Sequence, residues 1–431
     1  MKPHVREIIY QEPATLAGRL RHEKNLTLLE SVMRHEHLGR YSYLACNPSQ
    51  TLQDVTLENI REVLVQNTLE NVDGLPPFQG GLAGYISYEF GRSLEPQSKV
   101  PDFAKLCPDL ILHHYDTVIS FDHLQEKAWI LARHESDADA LEKLLKHKAG
   151  ALGSPVIEYW QSNFSRANYE AAIQKTVDYI LAGDIFQANI TQCFTADIPN
   201  SFDNFAFYRR LRAMNPATFA AYLDYGDVQI VSSSPERLIN CNGSHVEARP
   251  IKGTRRRDAD DARDAELIIE LQASRKDRAE NVMIVDLLRN DLSRISKPGT
   301  VKVPVLCGLE SYANVHHLVS VVTGDLREGF DLVDVLRAVY PGGSITGAPK
   351  IRAMEIIAEL EGKARGVYCG AIGFLGFNGA CDLNIAIRTA LFAGGKAHVA
   401  GGGGITARSQ PAAEYEESLT KIKRIMEAFA P

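Results

Sequence analysis

The chain has no CxxC pair, no apolar leader, no apolar run of membrane-spanning length and no surplus of positive charge. Each absence removes a class. The seven cysteines, Cys46, Cys107, Cys193, Cys241, Cys307, Cys369 and Cys381, are dispersed and odd in number, which argues against a disulfide framework or a zinc site. They read as reduced thiols of a cytoplasmic protein. The N-terminus, Met1-Lys2-Pro3-His4-Val5-Arg6-Glu7, lacks the apolar core of a secretory leader, and a bilayer needs about 20 consecutive apolar residues. Neither export nor membrane insertion is expected. Lys and Arg number 47 against 54 Asp and Glu, a net charge of −7, so no nucleic-acid partner is expected. At 431 residues the chain exceeds one average domain, but an antiparallel α+β sandwich can absorb that length into one body.

What is present centres on Arg249-Pro250-Ile251-Lys252-Gly253-Thr254. Residues 228–232 and 244–248 are strand-like, and Asn242-Gly243 favours the positive φ of a two-residue hairpin turn. Without a bulge, that register sets Glu236 opposite Arg249. Lys252 then lies three residues on, roughly 10 Å away at about 3.3 Å per residue, so one small ring could touch both Glu236 and Lys252. Taken alone, Lys252 reads equally as a solvated loop lysine.

Further along the chain, 165–183 carries apolar residues at helical spacing with Gly183 as a C-terminal cap. The strand 186–194 follows, with Gln187, Asn189 and Thr191 as a polar stripe that is either an outer face or a site lining. A helical stretch running to Arg294 buries Val282, Val285, Leu288 and Leu292 and sets Asp277 and Glu280 three apart on one face. His316-His317 lies in a strand over 315–323, where a core role is the plainer assignment. The last helix sets Glu414 and Glu417 three apart, with a Glu417–Lys421 surface pair as the plainer alternative. Two such acidic pairs, brought face to face, would suit magnesium, which takes hard oxygen ligands and leaves positions for substrate and water.

Pro341-Gly342-Gly343-Ser344-Ile345-Thr346-Gly347-Ala348-Pro349-Lys350 has the glycine interval of a phosphate loop but lacks its Lys-Ser/Thr, so that motif is rejected. A glycine-rich turn with two hydroxyls, opening a helix at Pro349 that ends at Gly362, is expected to hold an anion at its N-terminus. Strands over 367–375 and 384–392 follow, the second placing Asn384, Ala386 and Arg388 on one face. Gly401-Gly402-Gly403-Gly404 either admits a ligand close to the backbone or is a flexible bend.

Together, Ser234-Pro235-Glu236-Arg237, Pro250-Ile251-Lys252-Gly253-Thr254, Asp286-Leu287-Leu288-Arg289-Asn290-Asp291, His317-Leu318-Val319-Ser320 and Gly343-Ser344-Ile345-Thr346-Gly347-Ala348-Pro349-Lys350 resemble the chorismate-utilising enzyme family, most closely its aminodeoxychorismate-forming branch. The match runs from about Trp160 to the C-terminus; the first part matches more loosely. The resemblance implies an α+β fold, two large packed antiparallel β-sheets with helices on the outside. It divides the chain into an N-terminal region, 1–153, and a chorismate-utilising region, 154–431, in one compact body.

The resemblance also implies a site. Its magnesium ligands would fall on Glu280 and Glu417, with Asp277 and Glu414 as outer partners. Chorismate contacts would fall on Gln187, Gly253, Thr254, Ser344, Thr346, Tyr368, Arg388, Gly402, Gly403, Gly404 and Lys421. Lys252 and Glu236 would be catalytic; His317 joins them, although in the anthranilate branch its counterpart is tied to pyruvate elimination. Two positions separate the branches. Where water-using members carry a lysine base, Gln187 points to ammonia as nucleophile, and where anthranilate synthases carry alanine, Lys252 points to aminodeoxychorismate synthesis.

No cysteine sits in a Gly-x-Cys-x-Gly elbow, so ammonia is expected from a separate glutamine amidotransferase subunit. A fused aminodeoxychorismate lyase is not expected. Leu28-Leu29-Glu30-Ser31 resembles the tryptophan-binding segment of anthranilate synthases, with Tyr43, Asn215 and Pro216 as further walls; feedback inhibition, a structural tryptophan and shared core strands all stay open. An anthranilate synthase subunit would account for Leu28 to Ser31 but not Lys252, and a silent binding subunit would leave Glu236, Lys252, Glu280 and Glu417 without a purpose.

Overall fold

The computed structural model describes residues 1–34, 38–312 and 315–431. Two antiparallel sheets dominate it. The twelve-stranded sheet runs in the order His4–Ile8, Lys127–Ala132, Thr117–Asp122, Tyr41–Ala45, Leu26–Glu30, Phe219–Asp224, Val228–Ser234, Thr389–Ala393, Lys396–Ile405, Gln187–Asp197 and Gly347–Ala348, with Gln161–Ser162 as a side pairing. The ten-stranded sheet runs Ile251–Arg256, Val315–Asp325, His245–Arg249, Arg237–Asn242, Cys381–Asn384, Ala371–Gly376, Gly81–Ile86, Leu110–Tyr115 and Gln50–Gln53, with Lys302–Ser311 beside Val315–Asp325. Each sheet therefore mixes strands from before and after residue 153.

The sheets pack face to face. Tyr43 of one meets Phe374 of the other with ring centroids 5.1 Å apart, and Leu223 and Ile230 share a core with Tyr85 and Ile372. Outside the larger sheet lie Pro13–Leu20, Asn204–Met214 and Pro411–Phe429, whose Phe207 and Phe429 rings stack at 3.8 Å. Outside the smaller lie Leu57–Gln66, Arg275–Ser293 and Leu332–Val339. Burial on both faces explains why so many strands read as continuous apolar runs rather than alternating ones. Among the described residues no helix is long and apolar enough to cross a membrane.

The helix Arg166–Leu181 starts where Ser165 Oγ accepts the Asn168 N–H at 3.2 Å and stops at Gly183, φ +85°. Leu181, the last helical residue, is 71% exposed and stands off the stripe that buries Tyr169, Ile173 and Val177. Four expectations need correction. The hairpin pairs Arg237–Asn242 with His245–Arg249, and a bulge between Arg237 and Asn240 sets Arg237, not Glu236, opposite Arg249. Val228–Ser234 belongs to the other sheet, between Phe219–Asp224 and Thr389–Ala393. The helical stretch to Arg294 breaks at Ser274, whose hydroxyl caps the second segment, and Val282 is 40% exposed. The run 384–392 is not one strand: Cys381–Asn384 ends in one sheet, Thr389–Ala393 begins in the other, and Arg388 between them has φ +52°. That crossing takes Arg388 off the Asn384 and Ala386 face.

Candidate active site

Lys252, Glu236, Gln187 and Ser344 gather where the edge strand of the smaller sheet, Ile251–Arg256, comes up to the Lys396–Ile405 and Gln187–Asp197 strands of the larger, with Lys252 and Gln187 both beside Gly404. Lys252, on that edge strand, donates Nζ to the Ser344 carbonyl oxygen at 3.2 Å. Ser344 lies in a single 3-10 turn, Gly343–Ile345, and its hydroxyl donates to Glu236 Oε1 at 2.8 Å. One short turn thus joins the lysine and the glutamate. Thr346, by contrast, spends its hydroxyl on the Gly342 carbonyl at 2.9 Å and shapes the turn.

Burial sets the ionisation of this group. Glu236 is 6% exposed, and burial pushes its carboxyl up from the ordinary glutamate value against the pull of the Ser344 hydroxyl and Lys252. Burial pushes Lys252 down, opposed by Glu280 and Glu236. Both shifts favour the neutral forms, a carboxylic acid and a free amine. Arg388 is lowered by burial, with Glu236 opposing, and among the described residues its guanidinium donates no hydrogen bond.

Gln187 is fully buried, yet neither its Oε1 nor its Nε2 has a partner among the described residues. Buried amides are seldom left so, and such a pair of atoms calls for a partner from outside the chain, a ligand, an ion or a water. Gly404 makes the room: a Cβ there would lie 2.4 Å from Gln187 Nε2 and 3.5 Å from Lys252 Nζ. Gly403 plays the same part beside the acidic helices, where a Cβ would stand 3.2 Å from Glu414 Oε2 and 3.5 Å from Glu417 Oε1. Gly402 differs, since its added Cβ would strike the Ile190 carbonyl oxygen at 2.1 Å. Its role is strand contact.

His317 lies opposite Thr254 in the sheet, and its Nδ1 shares a hydrogen bond with Thr254 Oγ1 at 2.8 Å. Burial, then Arg388, holds the ring down to about 4, so it is neutral near pH 7. Tyr368 is buried and its phenol is pushed far up by that burial. Gly253, φ +87°, brings the Lys252 strand against Asp277, where a Cβ would clash at 2.9 Å.

The model of the family described as chorismate binding enzyme matches residues 27–427. The chain belongs to that family. It is 41% identical over 382 residues to aminodeoxychorismate synthase component 1 of Salmonella typhimurium, covering 86% of this chain and 83% of the relative. It is also 41% identical to anthranilate synthase component 1 of Thermus thermophilus, over 84% of this chain and 79% of the relative. Among solved structures, anthranilate synthase component I from Streptococcus pneumoniae superposes with a TM-score of 0.79 at 32% identity, covering 90% and 92% of the two chains. The isochorismate synthase MenF of Escherichia coli, 17% identical with a TM-score of 0.76 over 99% and 95%, shares the fold. The two-sheet α+β architecture expected of a chorismate-utilising enzyme is thus the one observed.

In this family member the acidic residues converge as two helices approach. Lys276 Nζ stands 3.9 Å from Glu280 Oε1 on its own helix and 3.6 Å from Glu414 Oε1 on the C-terminal helix. Glu280 Oε1 is otherwise a buried oxygen without a hydrogen bond, and burial raises its carboxyl while Lys252 and Lys276 pull it down. Glu417 bears the same burial penalty, but Lys421 at 2.8 Å, with Lys276 and Lys252, leaves it lowered. Glu414 accepts the Ser409 hydroxyl at 2.7 Å, and Asp277 lies 3.6 Å from Arg255. Among the described residues no three His, Cys, Asp or Glu side chains form a closed metal cage. An orphaned carboxylate oxygen in an open acidic site fits magnesium, which is bound by one or two carboxylates with substrate and water completing the shell.

Lys421 also donates to the Gly402 carbonyl at 2.9 Å, tying the last helix to the glycine strand. Sequence reasoning does not single out Lys276, although it stands four before Glu280 on one helix face, a spacing that signals the pair.

A cavity of about 570 Å³ lies between the sheets, away from Lys252, and is lined by Leu29, Glu30, Ser31, Tyr43, Thr218 and Phe219 among others. Asn215 and Pro216 are not in its wall; the Asn215 amide donates to Ser233 Oγ at 2.9 Å. The Glu30 carboxylate is filled by Arg212, at 2.8 and 2.9 Å, and by the Tyr208 hydroxyl, while Ser31 Oγ donates to the Thr218 carbonyl at 3.0 Å.

Proposed function

We propose that the chain is component I of an aminodeoxychorismate synthase, forming 4-amino-4-deoxychorismate from chorismate and ammonia on the way to para-aminobenzoate. The observation that carries this is Lys252: a half-buried amine, its charged form disfavoured, joined to a buried Glu236 through Ser344.

Arg388 binds a chorismate carboxylate, and Gly404 lets the ring approach Gln187 and Lys252. Lys252 Nζ forms a bond to ring carbon 2 as the ring double bonds shift and the bond from carbon 4 to its hydroxyl breaks. Glu236 gives its proton to that oxygen, which leaves as water. Ammonia, oriented by the Gln187 carboxamide, then bonds to carbon 4; the double bonds shift back, the bond from carbon 2 to Nζ breaks, and Glu236 takes up the proton shed by the new amine. One difficult displacement becomes two easier ones. Glu280 and Glu417 would hold magnesium, with Asp277 and Glu414 outside them; the ion supplies charge neutralisation for a substrate carboxylate. Ammonia comes from a glutamine amidotransferase subunit, and the inter-sheet cavity is the proposed tryptophan pocket.

Amination without loss of pyruvate is what Lys252 argues for. Equal identity to an anthranilate synthase supports the alternative, in which ammonia adds and pyruvate is eliminated. The products decide: incubation with chorismate, magnesium and an ammonium salt should yield an amino product that keeps its enolpyruvyl group, with no pyruvate. Anthranilate with stoichiometric pyruvate would overturn the assignment.

A further inference from the structure

Behind the site, away from the reacting atoms, lies a buried ion pair. Arg365 is 7% exposed and Glu361 8%. The Arg365 guanidinium donates Nε to Glu361 Oε2 at 2.9 Å and Nη2 to Glu361 Oε1 at 2.6 Å. Its other bonds go to main-chain carbonyls: Nη1 to Ile345 at 3.0 Å and Nη2 to Asn189 at 2.6 Å. The Tyr88 ring covers one face at 4.6 Å. Glu361 Oε1 also accepts the Thr191 N–H at 2.8 Å and the Thr191 hydroxyl at 3.0 Å.

The two carbonyls belong to the two segments that matter most. Ile345 follows Ser344, which receives Lys252 and bonds Glu236; Asn189 is two residues beyond Gln187 in the same strand. The Gly343–Ile345 turn has little to hold it from within, being three residues of 3-10 helix that end at Thr346 with φ −111° and ψ −89°. Main-chain bonds also tie its C-terminal side to that strand: Asn189 N–H donates to the Thr346 carbonyl at 2.7 Å, and Gly347 and Ala348 pair with Ala188 and Gln187; Arg365 adds the side-chain tie at Ile345. Arg365 in turn is anchored at its backbone, where its own N–H and that of Gly366 donate to Glu89 at 2.7 and 2.9 Å.

Stability alone does not account for such a pair. Buried ion pairs are often no more stabilising than apolar residues of the same volume. What arginine offers is a rigid planar fork that can hold a carboxylate on one edge and two carbonyls on the others, which lysine cannot copy.

We propose that Arg365 is a positioning residue for chorismate turnover: oriented by Glu361, it holds the Ser344 turn and the Gln187 strand at a fixed separation. This rests on the site assigned above, so the test pairs turnover with a measurement that needs none. In the unliganded Arg365→Lys protein, amide hydrogen exchange should accelerate about tenfold or more in segments 187–191 and 343–347 while the remote strands at 110–132 keep their rates. In turnover, kcat should fall about tenfold or more with KM for chorismate held within about threefold. In a Ser344→Ala background the same substitution should cost far less, because both act through the same turn.

A merely structural arginine would speed exchange everywhere and give losses that add to those of Ser344→Ala; either result overturns the proposal. If Arg365→Lys does not fold, Glu361→Gln keeps the shape of the partner, removes its charge and provides the same readouts. Unchanged local exchange in a folded variant rejects the positioning role whatever the enzyme does with chorismate. Local loosening in a chain that never consumes chorismate would instead reject the proposed function and leave the tether standing.

Discussion

Ser344 donates its hydroxyl to Glu236 at 2.8 Å. Its carbonyl oxygen at the same time accepts a hydrogen bond from the Lys252 amine at 3.2 Å, so proton donor and nucleophile hang from one residue of a short turn. Glu236→Gln keeps the hydrogen bond but removes the proton that the leaving hydroxyl needs. Chorismate consumption should fall by about 10²- to 10⁴-fold, the usual worth of a general acid, with chorismate still bound in a titration. A fall of less than about threefold would mean the proton comes from elsewhere.

The glycine strand separates folding from function within three residues. Gly402→Ala drives a Cβ into the Ile190 carbonyl at 2.1 Å, a main-chain clash that should lower the melting temperature by several degrees or prevent soluble expression. Gly404→Ala meets the Gln187 side chain instead. It should melt close to wild type while turnover falls about tenfold or more. Thermal melts and steady-state rates of both variants check the contrast, and reversed results would mean that Gln187 is not part of the site.

Chelation should abolish turnover, and added magnesium should restore it. Glu280→Gln converts the orphaned carboxylate oxygen into a neutral amide and should raise the magnesium concentration for half-maximal activity about tenfold or more. The same change at Asp277, already beside Arg255, should do less. Metal titrations of the two variants give the comparison; equal effects would remove Glu280 from the inner position.

Acid should weaken the fold well above the range of its carboxylates. Burial holds His113, His123, His317 and His398 down to about 4, against about 6.5 in an unfolded chain. Between those values the unfolded state binds protons that the folded state refuses, so stability rises with pH across the window and falls as pH drops through it. Each histidine contributes up to about 1.4 kcal/mol per pH unit. Urea midpoints near pH 7 and pH 5 test this, and equal midpoints would contradict it.

Much of the fold was legible because helix caps and turn residues are local: Ser165, Gly183 and Gly362 mark helix ends where they stand in the sequence. Pairing between sheets was not. The bulge at Arg237 lies inside a local hairpin, but Arg237 also pairs with Asn384 on its other side, and Thr389 beyond the Arg388 crossing pairs with Ser232; those distant partners are what no short pattern encodes. At the site, Lys252, Glu236 and Ser344 stood out in the sequence, while Arg365 did not. It lies four beyond Glu361 but past the left-handed Gly362 cap, so helical spacing gave no reason to pair them.

The role of Lys252 is tested most directly by comparing wild type with Lys252→Ala for ammonia-dependent formation of 4-amino-4-deoxychorismate at saturating chorismate and magnesium. The expected result is a rate reduced about tenfold or more in a variant that still folds and still binds chorismate. Equal rates would show that Lys252 forms no bond to the ring.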